Sequence, residues 1–225
     1  SAGKYVEKFE KKISNYTKSK YVVACSSGTS ALQISQMICG IKEDDEVIVP
    51  TLTFIATINS IIYNNAIPIF MDCDNFFNLD VKKTIEFIES ETVFKKNFTY
   101  NKKTNRRIST IIPVHVWGNA VNLEKLINIC KRRNINIIED ASESLGTIYN
   151  SGRLKGKHTG TIGKVGCLSF NGNKILTTGG GGAILTNIKK LAEKAKYLTT
   201  QAKDDTRKFI HNEVGFNYRL SNLHA

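Results

Sequence analysis

Four stretches of the chain combine residue types that do chemistry, and each sits beside an apolar run. Glu139-Asp140-Ala141-Ser142-Glu143-Ser144 comes directly after Ile137-Ile138. A carboxylate in that place can hold a metal ion, a ribose hydroxyl pair or a protonated ring nitrogen, while the plainer reading makes Asp140 a helix cap. Ser169-Phe170-Asn171-Gly172-Asn173-Lys174 sets one lysine among glycine, asparagine and apolar residues. Desolvation of an amine favours the neutral form that Schiff-base chemistry needs, so Lys174 is a candidate nucleophile; a solvated loop lysine is the alternative. In Cys25-Ser26-Ser27-Gly28-Thr29-Ser30-Ala31-Leu32, small residues lie where a strand gives way to a helix. The N–H groups of a helix start hold anions such as phosphate, although a simple Ser/Thr cap reads equally well. The run matches neither a dinucleotide nor a nucleoside-triphosphate loop motif. Finally, Thr177-Thr178 precedes four consecutive glycines, Gly179–Gly182. Ordering them costs entropy, so they imply unusual φ angles or a backbone pressed against something large, unless the loop is merely flexible.

These positions need a frame that brings them together. From residue 20 onward the sequence alternates β-branched runs with helical patterns: a strand at 21–24, a helix at 29–39, a strand at 46–49 and a helix at 54–64. A strand at 67–71 follows, then a helix at 81–90 introduced by Asp80 as N-cap, a strand at 108–114, a helix at 123–133 and a strand at 135–138. Short strands are expected at 147–149, 167–170 and 183–186, a last helix from about Ile188, and the first turns of an amphipathic helix from Leu220 to the end. Strand and helix in alternation, with nearly continuous apolar strands, predict an α/β fold with a mostly parallel sheet covered on both faces. In such sheets ligands bind beyond the carboxyl ends of the strands, where the four stretches fall, with Phe54 adding an aromatic after another strand.

Composition bounds the function. The 225 residues are 41% hydrophobic and 9% aromatic, with three prolines, which excludes collagen-like, disulfide-scaffold and wholly disordered classes. One domain over residues 1–225 is expected. No apolar run approaches the roughly 20 residues that cross a bilayer, and no signal peptide opens the chain, so a cytoplasmic location without membrane contact is the default expectation. Five widely spaced cysteines with no C-x-x-C pair read as reduced and mostly buried. The four histidines lack metal-ligand spacing and no metal is expected; His115 and Trp117 either line the cleft or are buried. The net charge of +12 raises nucleic acid as a partner. Half of it, however, is concentrated in Phe94–Arg107, which reads as a solvated hairpin or loop rather than a polyanion site.

In combination the motifs resemble the DegT/DnrJ/EryC1/StrS sugar aminotransferases that use pyridoxal phosphate. The likeness runs from Gly3–Glu10 to Gly215–Leu220 through S-G-T-S-A-L, P-T-L-T-F-I-A-T, E-D-A-S-E-S-L-G, S-F-N-G-N-K and G-F-N-Y-R-L-S. Within the family, F-N-G-N-K with T-T-G-G-G-G is most similar to the branch serving legionaminic acid and related bacterial diamino sugars. The resemblance implies an aspartate-aminotransferase-like large domain (fold type I), with the family's smaller C-terminal domain and the start of its N-terminal segment absent from this chain. By the same resemblance Lys174 is the catalytic Schiff-base lysine, Asp140 the carboxylate beneath the pyridine nitrogen and Phe54 the aromatic stacked on the ring. Gly28, Thr29 and Ser30 match the phosphate loop, with Ser169 adding a hydroxyl. Glu143 stands where histidine or glutamine is common near the ring hydroxyl, and Asn217 matches a residue given by a second subunit of a homodimer.

The implied reaction moves an amino group from an amino acid, glutamate in the family, to a nucleotide-linked keto sugar. Lys174 argues against the family's dehydratases, which carry histidine there. Gly180 departs from the glutamate of many relatives in T-G-E-G-G, which bears on the substrate side of the pocket. The alternatives are a fragment that binds cofactor without catalysis and a basic nucleic-acid-binding module.

Overall fold

A computed structural model describes residues 3–205 and 207–225. The chain runs α1 (Lys4–Thr17), β1 (Tyr21–Cys25), α2 (Gly28–Ile38), β2 (Glu46–Pro50), α3 (Ile55–Ile62), β3 (Ile67–Met71), α4 (Val81–Ser90), β4 (Thr92–Lys95) and β5 (Phe98–Asn101). It continues with β6 (Arg107–Ile111), α5 (Leu123–Arg133), β7 (Asn136–Asp140), β8 (Val165–Ser169), β9 (Gly182–Thr186) and α6 (Lys189–Thr199). The strands join in the order β1-β9-β8-β7-β6-β2-β3. From β3 to β8 the pairings are parallel, and β9 lies antiparallel between β8 and β1. The expected mostly parallel sheet with helices on both faces is present.

Strand alternation builds both cores. Val47 and Val49 of β2 turn into a cluster with Leu32, Ile34, Ile138, Ile184 and Leu198, while Ile48 between them joins Leu79, Ile88, Ile111, Leu126 and Ile137 on the other face. Every residue of β2 is buried, as a strand covered on both sides requires. Helix ends follow local chemistry. Asp80 caps α4 by accepting the Lys83 N–H at 3.0 Å. Helix α5 ends on Asn134 in the left-handed conformation (φ 51°), with Lys131, Arg132 and Arg133 in its last turn complementing the helix dipole.

Two local expectations change, and one resolves between its alternatives. Residues 147–149 form no strand; Ile148 makes a single bridge to His158, because the segment is a glycine-flanked turn tied down by side chains. Leu220–Ala225 is a turn in which Ser221 receives the His224 and Ala225 N–H groups, not a regular helix. The basic segment Phe94–Arg107 is an ordered antiparallel hairpin, β4 with β5, that pairs through β5 onto the start of β6.

Candidate active site

The carboxyl ends of β7 and β8, the start of α2 and the loop before α3 enclose a cavity of about 690 Å³. Its wall includes Gly28, Thr29, Phe54, Asp140, Glu143, Ser169 and Lys174, so seven of the nine positions singled out in the sequence converge. Asp140 ends β7 and is buried. Its Oδ2 accepts the Thr57 hydroxyl at 2.7 Å and its Oδ1 accepts the Ser142 N–H at 3.1 Å. The second bond is the local turn expected of a capping aspartate; the first comes from a helix far away in sequence and aims the carboxylate.

Lys174 lies largely buried in the turn after β8. Its Nζ is 3.3 Å from Glu143 Oε1 and 5.7 Å from the centre of the Phe54 ring. The other Glu143 oxygen accepts the Trp117 N–H at 2.9 Å, holding a tryptophan whose φ is +51°. Phe54 is 70% exposed, a free aromatic face at the cavity mouth.

At the start of α2, Ser27 is the N-cap, accepting the Ser30 N–H at 3.0 Å. The N–H groups of Gly28 and Thr29 are in the first turn, where helix donors have no intrahelical partner and an anion is held well. Glycine is required here for close approach. A Cβ on Gly28 would stand 2.9 Å from Ser169 Cβ, and one on Gly182 would stand 2.3 Å from the Ser27 carbonyl oxygen. The last member of the glycine run thus lets β9 press against the cradle. Around Gly180 there is open space, with no heavy atom within 4 Å of a built Cβ.

Ser30 and Asn217 do not line the cavity. The Ser30 hydroxyl turns back onto Ser27, donating to its carbonyl at 2.8 Å and accepting its N–H at 3.0 Å, because it completes the capping box. Asn217 is exposed and bridges Thr200.

Two contributors escaped the sequence reading. Thr57 sits in the first turn of α3, within a pattern that reads as core. Glu139 is fully buried, where the sequence offers only a carboxylate next to a more conspicuous one. Its oxygens accept the N–H groups of Gly160 (2.8 Å), Ile162 (2.6 Å) and Gly163 (2.6 Å), and lie 2.9 Å from His115 Nε2. His115 Nδ1 accepts the Val121 N–H at 3.1 Å, so Nε2 carries the proton and donates it to Glu139. His115 is both buried and cavity-lining, the two readings its position left open. Among the described residues, no three His, Cys, Asp or Glu side chains are grouped to hold a metal.

An amine, a fixed carboxylate, an exposed aromatic face and an anion cradle around one cavity suit a flat, phosphorylated, nitrogen-containing ring. A family model described as the DegT/DnrJ/EryC1/StrS aminotransferase family matches residues 1–225. GDP-perosamine synthase of Caulobacter vibrioides is 38% identical over 226 residues, covering 100% of this chain and 55% of its own length. Among solved structures, a DegT DnrJ EryC1 StrS aminotransferase from Brucella abortus has a TM-score of 0.87 at 32% identity, over 99% of this chain and 56% of its own. NtdA from Bacillus subtilis with bound cofactor PMP has a TM-score of 0.81 at 29% identity, over 100% of this chain and 46% of its own. The chain therefore spans about half the length of the proteins it matches. It has the fold type I architecture of these aminotransferases, and it belongs to the DegT/DnrJ/EryC1/StrS aminotransferase family.

Proposed function

We propose that this chain is the cofactor-binding part of a pyridoxal-phosphate-dependent aminotransferase that moves an amino group from an amino acid, L-glutamate, to a nucleotide-linked keto sugar of the 4-keto-6-deoxy hexose type. The observation that carries this reading is that Lys174, the Asp140 carboxylate, the Phe54 ring and the Gly28-Thr29 cradle line one cavity, with Lys174 Nζ 5.7 Å from the Phe54 ring centre.

The residues fit the cofactor. Gly28, Thr29 and Ser169 would take the phosphate, Phe54 the face of the ring, and Asp140 its nitrogen. When bound, the pyridine ring supplies an electron sink for charge developing on the substrate carbon. Asp140 presents a fixed negative charge, locked by Thr57 and Ser142, to keep a proton on a ring nitrogen. Among the described residues Lys174 is the one amine lining the cavity; its Nζ would serve as the nucleophile and afterwards as the base and acid that moves a proton at the substrate carbon. Glu143 and Phe54 orient that amine before the cofactor enters.

The GDP-perosamine synthase likeness supports a nucleotide-linked acceptor. The Phe170–Lys174 and Thr177–Gly182 runs support an acceptor of the legionaminic acid type, and the open space at Gly180 supports a bulkier substituent there. A homodimer belongs to the same reading, supported by the apolar surface at the cavity mouth: Phe54, Ile55, Phe76 and Trp117 are each more than half exposed. Asn217 would reach the partner's site. A cytoplasmic location is supported by the five cysteines, all of them free thiols. No helix among the described residues is long and apolar enough to cross a membrane.

The test is covalent trapping. Mixed with pyridoxal phosphate and reduced with borohydride, the chain should carry the cofactor on the peptide containing Lys174, and Lys174→Ala should carry none. Labelling elsewhere, or equal labelling of Lys174→Ala, overturns the proposal.

A further inference from the structure

At the amino ends of the parallel strands, opposite the cavity, the β4–β5 hairpin and the last turn of α5 form one basic surface. Asn134 Nδ2 donates to the Asn97 carbonyl at 2.7 Å and Thr99 Oγ1 to the Arg133 carbonyl at 2.5 Å, so the two elements are a unit. The hairpin is held rigidly from below. Buried Glu46 accepts from Asn101 Nδ2 at 2.9 Å and Thr104 Oγ1 at 2.7 Å, and Asp45 grips Arg107 through two nitrogens. Of the nine cations on the surface, Arg107 pairs with Asp45 and Arg132 with Glu89. Lys95, Lys96, Lys102, Lys103, Arg106, Lys131 and Arg133 have no carboxylate partner among the described residues. The turn that tips the hairpin, Lys96-Asn97, has both residues at positive φ, and Phe94 (42% exposed) and Phe98 (39% exposed) flank it on opposite faces.

From this arrangement we infer that the hairpin and the α5 terminus dock this chain onto an anionic lipid surface. Lysine amines beside the part-exposed Phe94 ring are the pattern of an interfacial contact, in which charge attracts the headgroups and the ring enters the boundary. A nucleic-acid surface fits less well. The guanidinium placed to fork a phosphate, Arg107, is held by Asp45 and sits 5.3 Å over Phe98, while Lys95 sits 4.7 Å over Tyr100, so the aromatic faces that would stack on bases are occupied. The sequence-based expectation of a merely solvated excursion, without membrane contact, does not account for lysines without carboxylate partners among the described residues on a hairpin that Glu46 and Asp45 hold through Asn101, Thr104 and Arg107. Docking here leaves the cavity mouth free, so the inference stands or falls independently of the proposed enzyme activity.

The experiment is co-sedimentation of the 225-residue chain with vesicles of phosphatidylcholine containing about one third phosphatidylglycerol, beside vesicles of phosphatidylcholine alone, at low and high salt. Binding to the anionic vesicles alone, weakened by salt, is expected. The quadruple variant Lys95→Gln, Lys96→Gln, Lys102→Gln, Lys103→Gln should lose about fivefold in partition coefficient per charge removed. Phe94→Ser should weaken binding while keeping its salt dependence, and Lys11→Gln with Lys12→Gln on exposed α1 should leave it unchanged. Absence of association with anionic vesicles overturns the inference, as does equal loss in the hairpin and α1 variants. Tighter binding to single-stranded nucleic acid than to the vesicles at the same salt overturns it in favour of a nucleic-acid partner.

Discussion

The hydroxyl of Thr57 donates to Oδ2 of Asp140 across 2.7 Å, joining residues 83 positions apart and fixing the carboxylate that ends β7. Both groups are buried, so the bond is formed away from competing water. Thr57→Val keeps the shape and removes the donor. A cost of about 1.5–3 kcal/mol is expected, the range for a hydrogen bond to a charged group, measured by urea unfolding. In the proposed aminotransferase, Asp140→Asn should leave folding and cofactor uptake intact and lower transamination by about a hundredfold, as removal of a preorganised charge does. Unchanged turnover in Asp140→Asn would remove Asp140 from its proposed role.

Glu139 is the buried anchor behind the site, with three backbone N–H donors and the His115 imidazole around one carboxylate. Glu139→Ala strands all four donors. Destabilisation of about 3–5 kcal/mol is expected, lowering Tm by roughly 10 °C for a chain of this size. A loss below about 1 kcal/mol would show that water replaces the carboxylate.

His158 makes stability fall toward acid. Burial holds its pKa below the ordinary 6.5, against the opposing effects of the Thr159 carbonyl and Glu139. Its Nε2 accepts the Gly146 N–H at 2.7 Å, a bond that protonation destroys. The unfolded chain therefore takes up the proton first. The contribution is fully present above pH 6.5 and is lost as pH falls below it through the lower folded pKa. Denaturation midpoints should drop from pH 7.5 to pH 5, and His158→Gln should flatten that slope. An unaltered slope in the variant would assign the pH dependence elsewhere.

Thiol reactivity should be confined to one cysteine. Burial pushes Cys25, Cys39 and Cys130 up to about 12 and Cys167 well above its ordinary value, so none is a thiolate at neutral pH. Only Cys73 is partly exposed. Iodoacetamide under native conditions should label Cys73 alone, and all five cysteines after unfolding. Native labelling of Cys25 or Cys167 would contradict the packing of β1 against β9 and β8.

Much of the fold was legible because its determinants are local. The apolar runs of β2 and β7 and the Asp80 cap depend on neighbours within a turn or a strand, and these elements lie within a few residues of their expected places. Asp140, at the end of β7, and Lys174, five residues beyond β8, stood out as candidates because a parallel sheet delivers its strands' carboxyl ends to one edge, but their specific roles came from the family resemblance. Where turns are set by distant partners, local pattern failed. Residues 147–149 read as a strand but are fixed by His158 and by the Thr147 hydroxyl on the Gly118 carbonyl.

The sequence by itself determined the alternation that makes a parallel sheet, and the chemical types offered at its edge. Which of those groups share a cavity was decided only by strand order, which sets β7 beside β8 and brings α2 over them with α3 packed beside it. Ser30, by contrast, is turned onto Ser27 by a local capping box, while the tertiary fold left Asn217 on the surface. It also paired Glu139 with His115 and Thr57 with Asp140. Those bonds span 24 and 83 residues, and a hydrogen bond across such a separation exists only once the cores on both faces of the sheet have fixed the strands in register.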